Sequence, residues 1–291
     1  MQLPKHTPYA DGQGGVKIGL NPIKESKWLE IDNKFVEEIE LKKKLLKKNR
    51  NEVLQTIQGS EDQQYEVLTS ILDYLQNYHS EKYTLNEDSV LVNSTNDLYK
   101  FNEFDDPIEL ASLLVQEDLV IMSPKDGNFY LEAASLNAPS HWSLIEKFSK
   151  SLMDLHEGVP DYKQSIGKRV DQIFNKLPPE RILERYNWSI YDDPKLFQPV
   201  QSKPMVQFKE TEADKLYLRV ERQTIRKLPI HESVLFTIRV HVDPIESIIK
   251  EKHLLNGLKK AVVNLPDPMK KYKSIHQFED KLLTWLQEKI T

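Results

Sequence analysis

Residues 113–160, LLVQEDLVIMSPKDGNFYLEAASLNAPSHWSLIEKFSKSLMDLHEGVP, decide how the chain is read. The apolar run at 113–122 is broken only by Gln116, Glu117 and Asp118. Lys125, Asp126, Gly127 and Asn128 follow with the chemistry of a hairpin turn. A second strand returns over 129–136. Ser140 then offers an N-cap, and Trp142, Ile145, Phe148, Leu152 and Leu155 recur at helical spacing until Gly158 and Pro160 end the helix. His156 stands four residues after Leu152, at the edge of the apolar stripe and at the helix C-terminus. Two readings of it are open. It is a hydrogen-bonded imidazole favoured by the negative end of the helix dipole, or it offers a nitrogen to a metal or a haem iron from a rigid apolar wall.

Working outward, 166–177 reads as an amphipathic helix with Ile166, Val170, Ile173 and Phe174 inward, ended by Pro178 and Pro179. Residues 184–191 read as a strand with Trp188 and Ile190 on one face, and 192–212 as an irregular, proline-broken connection. Residues 234–243 alternate Val234, Phe236, Ile238, Val240 and Val242 with Thr237, Arg239 and His241, a half-buried strand. In 215–228 one face reads Leu216, Leu218, Val220, Arg222, Thr224, Arg226, Leu228. Two arginines on an apolar face must pair with carboxylates, line a cavity, grip an anion, or reach solvent at a sheet end.

Upstream, 1–19 is a polar, glycine-containing arm whose DGQGG lacks the strand and the GK[ST] of a phosphate loop. Residues 37–57 read as a charged helix. Its lysine run at 42–48 follows Glu37, Glu38 and Glu40, the pattern of a solvated face rather than a nucleic-acid contact. Tyr65, Leu68, Ile71, Leu72 and Leu75 form a second helical stripe, suggesting an antiparallel pair that packs on the rest; 80–104 is polar and turn-rich, with room for a hairpin. At the other end 245–263 and 274–290 are amphipathic helices separated by Pro266 and Pro268.

Composition narrows the chemistry. The chain has 291 residues, a net charge of −5 and no cysteine. The charge argues against a general nucleic-acid binder. The missing thiols exclude disulfides, Fe–S clusters, thiolate-ligated haem and cysteine nucleophiles. The apolar runs are too short to span a bilayer and the first 26 residues lack a signal-peptide core, so a soluble, cytoplasmic protein is expected.

Five strands, 113–122, 129–136, 184–191, 215–228 and 234–243, with short turns in the first and last pairs, predict an α+β fold. It would be one curved antiparallel sheet with N-terminal, inserted and C-terminal helices, an arrangement able to hold a flat cofactor between sheet and helix. The segments LLVQEDLVIM, SHWSLIEKFSKSLMDLHEGVPDY, ERYNWSIYD, LRVERQTIRKLP and VLFTIRVHVDPI, with GLNPIKESKWLEIDNKF upstream, resemble in this order the haem-dependent oxidative N-demethylase alpha-subunit-like family over about residues 19–245. The resemblance implies a PAS-like sheet holding heme b. It also implies oxidation of a small secondary amine by O2 with release of formaldehyde, and electrons from a separate donor protein.

Carried over by motif, the family's histidine falls on His156, its RxNW element on Arg185, Asn187 and Trp188, and its ERQT element on Glu221, Arg222, Gln223 and Arg226. His156 becomes the expected metal ligand, with Arg185, Asn187, Trp188 and Gln223 binding the cofactor and Arg222, Arg226 and Glu221 catalytic. Because neighbours on a strand point to opposite faces, Arg222 and Arg226 are expected toward the cofactor and Glu221 away from it. One arginine would pair with a haem propionate, the other polarise oxygen or place substrate. His141 and His231 are the alternative ligands. Gly158 stands where the family usually has proline, Tyr186 replaces a small residue, and Ser149 sits where glycine is common. The substrate is therefore not inherited with the family. The expected organisation is an arm and helical pair at 1–104, a PAS-like core at 105–245 and C-terminal helices at 246–291, as one globular unit. The alternatives to an enzyme are a non-catalytic haem-binding or sensing module, or an apo scaffold. No nucleic acid or membrane partner is expected.

Overall fold

A computed structural model describes residues 2–14, 19–160, 167–199 and 212–291. The chain begins with β1 (Asn21–Ile23), α1 (Phe35–Lys48), α2 (Arg50–Val53), β2 (Leu54–Thr56) and α3 (Glu61–Tyr78). A small meander of β3 (Tyr83–Leu85), β4 (Ser89–Val92) and β5 (Asp97–Lys100) precedes α4 (Pro107–Leu113). The hairpin β6 (Asp118–Lys125) and β7 (Asn128–Ser135) leads into an insert with α5 (Leu144–Lys147), α6 (Leu152–Leu155) and α7 (Gly167–Lys176). Then come β8 (Ile182–Tyr191), β9 (Tyr217–Lys227) and β10 (Val234–Pro244), followed by α8 (Lys252–Val263), α9 (Asp267–Tyr272) and α10 (Glu279–Ile290).

The main sheet has the order β1-β8-β9-β10-β6-β7-β2, with every neighbouring pair antiparallel. It holds seven strands among the described residues, two more than the sequence pattern predicts. The extra strands, β1 and β2, have three residues each, too few for alternation to register. The Asp126-Gly127 turn takes positive φ at both residues (50° and 79°), which matches the twist of β6 and β7 and explains the aspartate–glycine pair there. The β8–β9–β10 register runs without a shift, so alternation holds along all three strands.

Two layers cover this sheet. On the terminal face, Leu119, Ile121, Ile182, Leu228 and Leu235 pack under Trp28 and the N-terminal helices. Farther along the same face Trp188, Ile190, Leu218 and Val220 pack under Tyr9 and the C-terminal helices. On the insert face, Val120, Met122, Phe129, Ile225, Ile238 and Val240 meet Leu144, Leu152, Phe174 and Leu177. Burial of these apolar surfaces at about 25 cal/mol per Å² is the main force holding the three layers together.

Three helical expectations are corrected. The helix expected over 37–57 breaks at Asn49 into α1 and α2 and ends at Val53, because Leu54, Gln55 and Thr56 pair with β7. The stripe of α3 packs on α4, which the sequence pattern did not reveal, rather than forming a simple pair with α1. The single helix expected from Ser140 to His156 is two one-turn helices capped by Ser143 and Ser151. Between them Ser149 adopts φ 61°, and residues 149–151 turn back to hydrogen-bond Leu131 and bridge Tyr130. A side chain in the left-handed region costs roughly 1 kcal/mol, and glycine escapes that cost. Ile166, expected at the start of the next helix, lies outside the described residues.

Candidate functional site

His156 is the C-cap of α6, the short helix whose Leu152 and Leu155 pack onto the insert face. Its Nδ1 lies 2.9 Å from the Leu152 carbonyl. A carbonyl only accepts, so this nitrogen carries the proton and the lone pair resides on Nε2, the tautomer able to ligate a metal. Burial pushes the imidazole pKa down against the Leu152 bond, and the nearby charges of Arg185 and Lys147 add to the effect. The ring is therefore neutral at neutral pH.

Glu221 anchors the polar part of the same face. Ser140 Oγ donates to its Oε1 at 2.5 Å, while Gln223 Nε2 and Asn187 Nδ2 donate to its Oε2 at 2.8 and 3.2 Å. The cross-strand pairings Asn187 with Glu221 and Arg185 with Gln223 follow from the β8–β9 register. Arg219 Nε donates to Ser140 Oγ at 2.9 Å, so the serine hydroxyl must direct its proton to Glu221. Lys273 Nζ donates to Asn187 Oδ1 at 2.8 Å, which fixes the orientation of that amide. Burial pushes the Lys273 ammonium down to about 8, with Glu221 opposing the shift. Arg185, whose charge acts on both His156 and Lys273, completes the group.

Arg219 and Lys273 had no signature in sequence. Arg219 is 1% exposed and also donates to the carbonyls of Ala138, Pro139, Lys195 and Leu196. Its position on the Glu221 side of β9 was readable by alternation, but the loop carbonyls that claim it were not. Lys273 comes from outside the sheet, in the linker before α10.

The structure does not bring Arg222 and Arg226 to His156. They share a face, and Glu221 takes the opposite one, but theirs is the terminal face. Arg222 donates from Nε to Glu184 at 2.5 Å, from one terminal nitrogen to the Trp28 carbonyl at 2.9 Å and from the other to Lys27. Its Nε also lies 3.8 Å from Glu30. Arg226 pairs with Glu25 at 3.1 Å and lies 4.6 Å over the Trp28 ring. The expectation that these arginines line the His156 side is corrected: segment 25–30 and Glu184 engage them on the far side. Trp188 also lies on the terminal face, in the cluster with Tyr9 and the C-terminal helices. Tyr186 packs there too, 4.9 Å from the His6 ring.

Arg222 stands directly opposite Arg239 across β9 and β10. Two facing cations would repel, but Arg239 meets Asp32 and Glu38 at 2.8 Å each. Burial disfavours the Asp32 carboxylate, yet Arg239 and the Gln116 amide outweigh it and hold the pKa below the usual range. The alternative histidines differ in placement. His141 stacks on Tyr191 (4.4 Å, 15°) and bonds Gln198 at 3.3 Å. His231 sits in the β9–β10 turn, with Nδ1 2.7 Å from Glu66. A small cleft between the α1 residues Glu38 and Lys42 and the segment 137–138 contains none of the site residues inferred from sequence.

Among the described residues no helix is long and apolar enough to cross a membrane. The sequence model of one family, described as haem-dependent oxidative N-demethylase, alpha subunit-like, matches residues 19–283.

Proposed function

Because the chain belongs to the haem-dependent oxidative N-demethylase alpha-subunit-like family, we propose that it holds one b-type haem over the insert face and oxidises a small N-methylated amine with O2. The family supports an oxidoreductase of haem-dependent type. The five central strands, counted from β6 to β10, stand in the order 2-1-5-4-3, and their insert covers one face. That arrangement supports a PAS-like reading of the core.

The donor set fits a haem. A neutral histidine with its Nδ1 engaged is suited to iron ligation through Nε2. Arg185 on the same side supplies positive charge for a propionate, and the charge-assisted contact would contribute about 1.5–3 kcal/mol. This chain has no cysteine, so it offers neither a thioether to the haem nor ligands for an Fe–S relay. Electrons are accordingly assigned to a separate donor protein.

The haem, when bound, supplies the O2 chemistry, in which an N-methylamine, O2, two electrons and two protons give the demethylated amine, formaldehyde and water. The residues around Glu221 handle protons and orientation. Glu221, fixed by Ser140, Asn187 and Gln223, is the proposed proton acceptor, with Oε1 joined through Ser140 Oγ to Arg219. Asn187 and Gln223 position its carboxylate rather than react. The observation that carries this reading is the shared face of His156 and the Glu221 network.

Titration of the purified chain with hemin tests it. One equivalent should produce a Soret band that shifts on reduction under carbon monoxide. The reduced protein, given O2 and an electron donor, should release formaldehyde from a small N-methylamine. No saturable Soret band would refute haem binding; a haem protein that releases no formaldehyde across such amines would refute the activity.

A further inference from the structure

His6 in the N-terminal arm, Glu30 after the short helix at 25–27 and His241 on β10 converge on the terminal face. His241 Nε2 lies 2.8 Å from Glu30 Oε2, and His6 Nε2 lies 2.9 and 3.2 Å from Oε1 and Oε2. One ligand atom from each residue lies within 4.8 Å of the others. The carboxylate is divided between two kinds of partner. Oε2 faces both imidazoles, while Oε1, which His6 also approaches, receives Lys5 Nζ at 2.8 Å and faces Arg222 Nε at 3.8 Å. We infer that His6, Glu30 and His241 form a binding site for a zinc-type divalent transition ion, with water at the fourth position, that ties the N-terminal arm to the sheet.

The donor chemistry is two imidazole nitrogens and one carboxylate oxygen, a set suited to zinc, cobalt or nickel rather than magnesium or calcium. With bonds of about 2.0–2.2 Å, tetrahedral ligands stand roughly 3.3–3.6 Å apart. The two imidazole–carboxylate distances to Oε2, 2.8 and 3.2 Å, are close to that spacing, and all three donor atoms lie within 4.8 Å of one another, so the residues converge on a volume one ion can share. Ligating carboxylates are themselves commonly held by outer hydrogen bonds. Arg222 and Lys5 stand at that position on the Oε1 side, and His6, which reaches both oxygens, shares Oε2 with His241. Lys5 is half-exposed and is able to swing aside. Arg222 keeps Glu184 as its closer partner. Asp243, one strand step beyond His241 on the same face, acts electrostatically on both histidines and adds negative charge for a dication.

The bland alternative is a His–Glu–His hydrogen-bonded staple that takes no metal. Calorimetric titration of the full chain with zinc chloride, and separately nickel chloride, distinguishes the two. The site predicts saturable binding of one ion and an accompanying rise in melting temperature. His6→Ala, on the arm, should weaken affinity at least about tenfold and abolish that rise. His241→Gln should do the same, with circular dichroism verifying its fold. If His241→Gln fails to fold, His6→Ala and Glu30→Gln decide. Absence of saturable binding, or affinity unchanged in His6→Ala, would overturn the site. Because the cluster lies on the face opposite His156, its outcome is independent of haem binding, and His156→Ala should leave zinc affinity unchanged.

Discussion

The two faces of strand β9 carry charge in different ways. On the terminal face Arg222 and its neighbour Arg239 are surrounded by Glu30, Glu184, Asp32 and Glu38, so each guanidinium has carboxylate partners within the protein. On the insert face Glu221 is held by a hydroxyl and two amides, with no ion pair at contact distance recorded for it among the described residues. Guanidinium–carboxylate pairs fix structure, whereas the Glu221 carboxylate, held by neutral donors, has no cation in contact with it among the described residues. The contrast places Arg222 and Arg226 on the terminal face and Glu221 on the insert face, the face of the proposed haem site.

The largest effect that separates the faces is on stability. Arg239→Met leaves Asp32 and Glu38 without their buried cation and should cost about 3–5 kcal/mol in urea denaturation. A loss below about 1 kcal/mol, the size expected of an exposed pair, would break the comparison. Glu221→Gln should behave in the opposite sense. It keeps the side-chain shape and should cost only about 1–2 kcal/mol, while formaldehyde release falls about 10²-fold. Full activity in Glu221→Gln would remove its proposed role. The smallest effect lies in the insert. Ser149→Gly relieves a left-handed φ and should raise stability by up to about 1 kcal/mol; a clear loss would show that the serine side chain holds the break between α5 and α6.

Sequence alone carried the long strands, because alternation and the Asp126-Gly127 turn are local signals, except that the strand expected over 113–122 begins only at Asp118, since Leu113 closes α4. It also carried the shared face of Arg222 and Arg226, since strand period fixes which side chains point together. Which layer would cover that face was not legible. It depends on where segment 25–30 and the insert return in space, and neither return has a local signal. The helix expected over 140–156 failed for a related reason. Its apolar spacing suits a helix, but pairing of residues 149–151 with Tyr130 and Leu131 prevailed over local periodicity. His156 became a candidate through its motif, while Lys273 and Arg219 join the Glu221 group only through tertiary contacts.

The most direct measurement is the visible spectrum of the hemin-loaded chain in three variants, His156→Ala, His141→Ala and His231→Ala, with and without added imidazole. His156→Ala should lose the axial-histidine spectrum and retain haem poorly, and imidazole should restore the spectrum. The other two variants should match the unsubstituted protein, because His141 is engaged with Tyr191 and Gln198 and His231 with Glu66. An unchanged spectrum in His156→Ala, with loss in either of the others, would contradict the assignment of the insert face as the haem site.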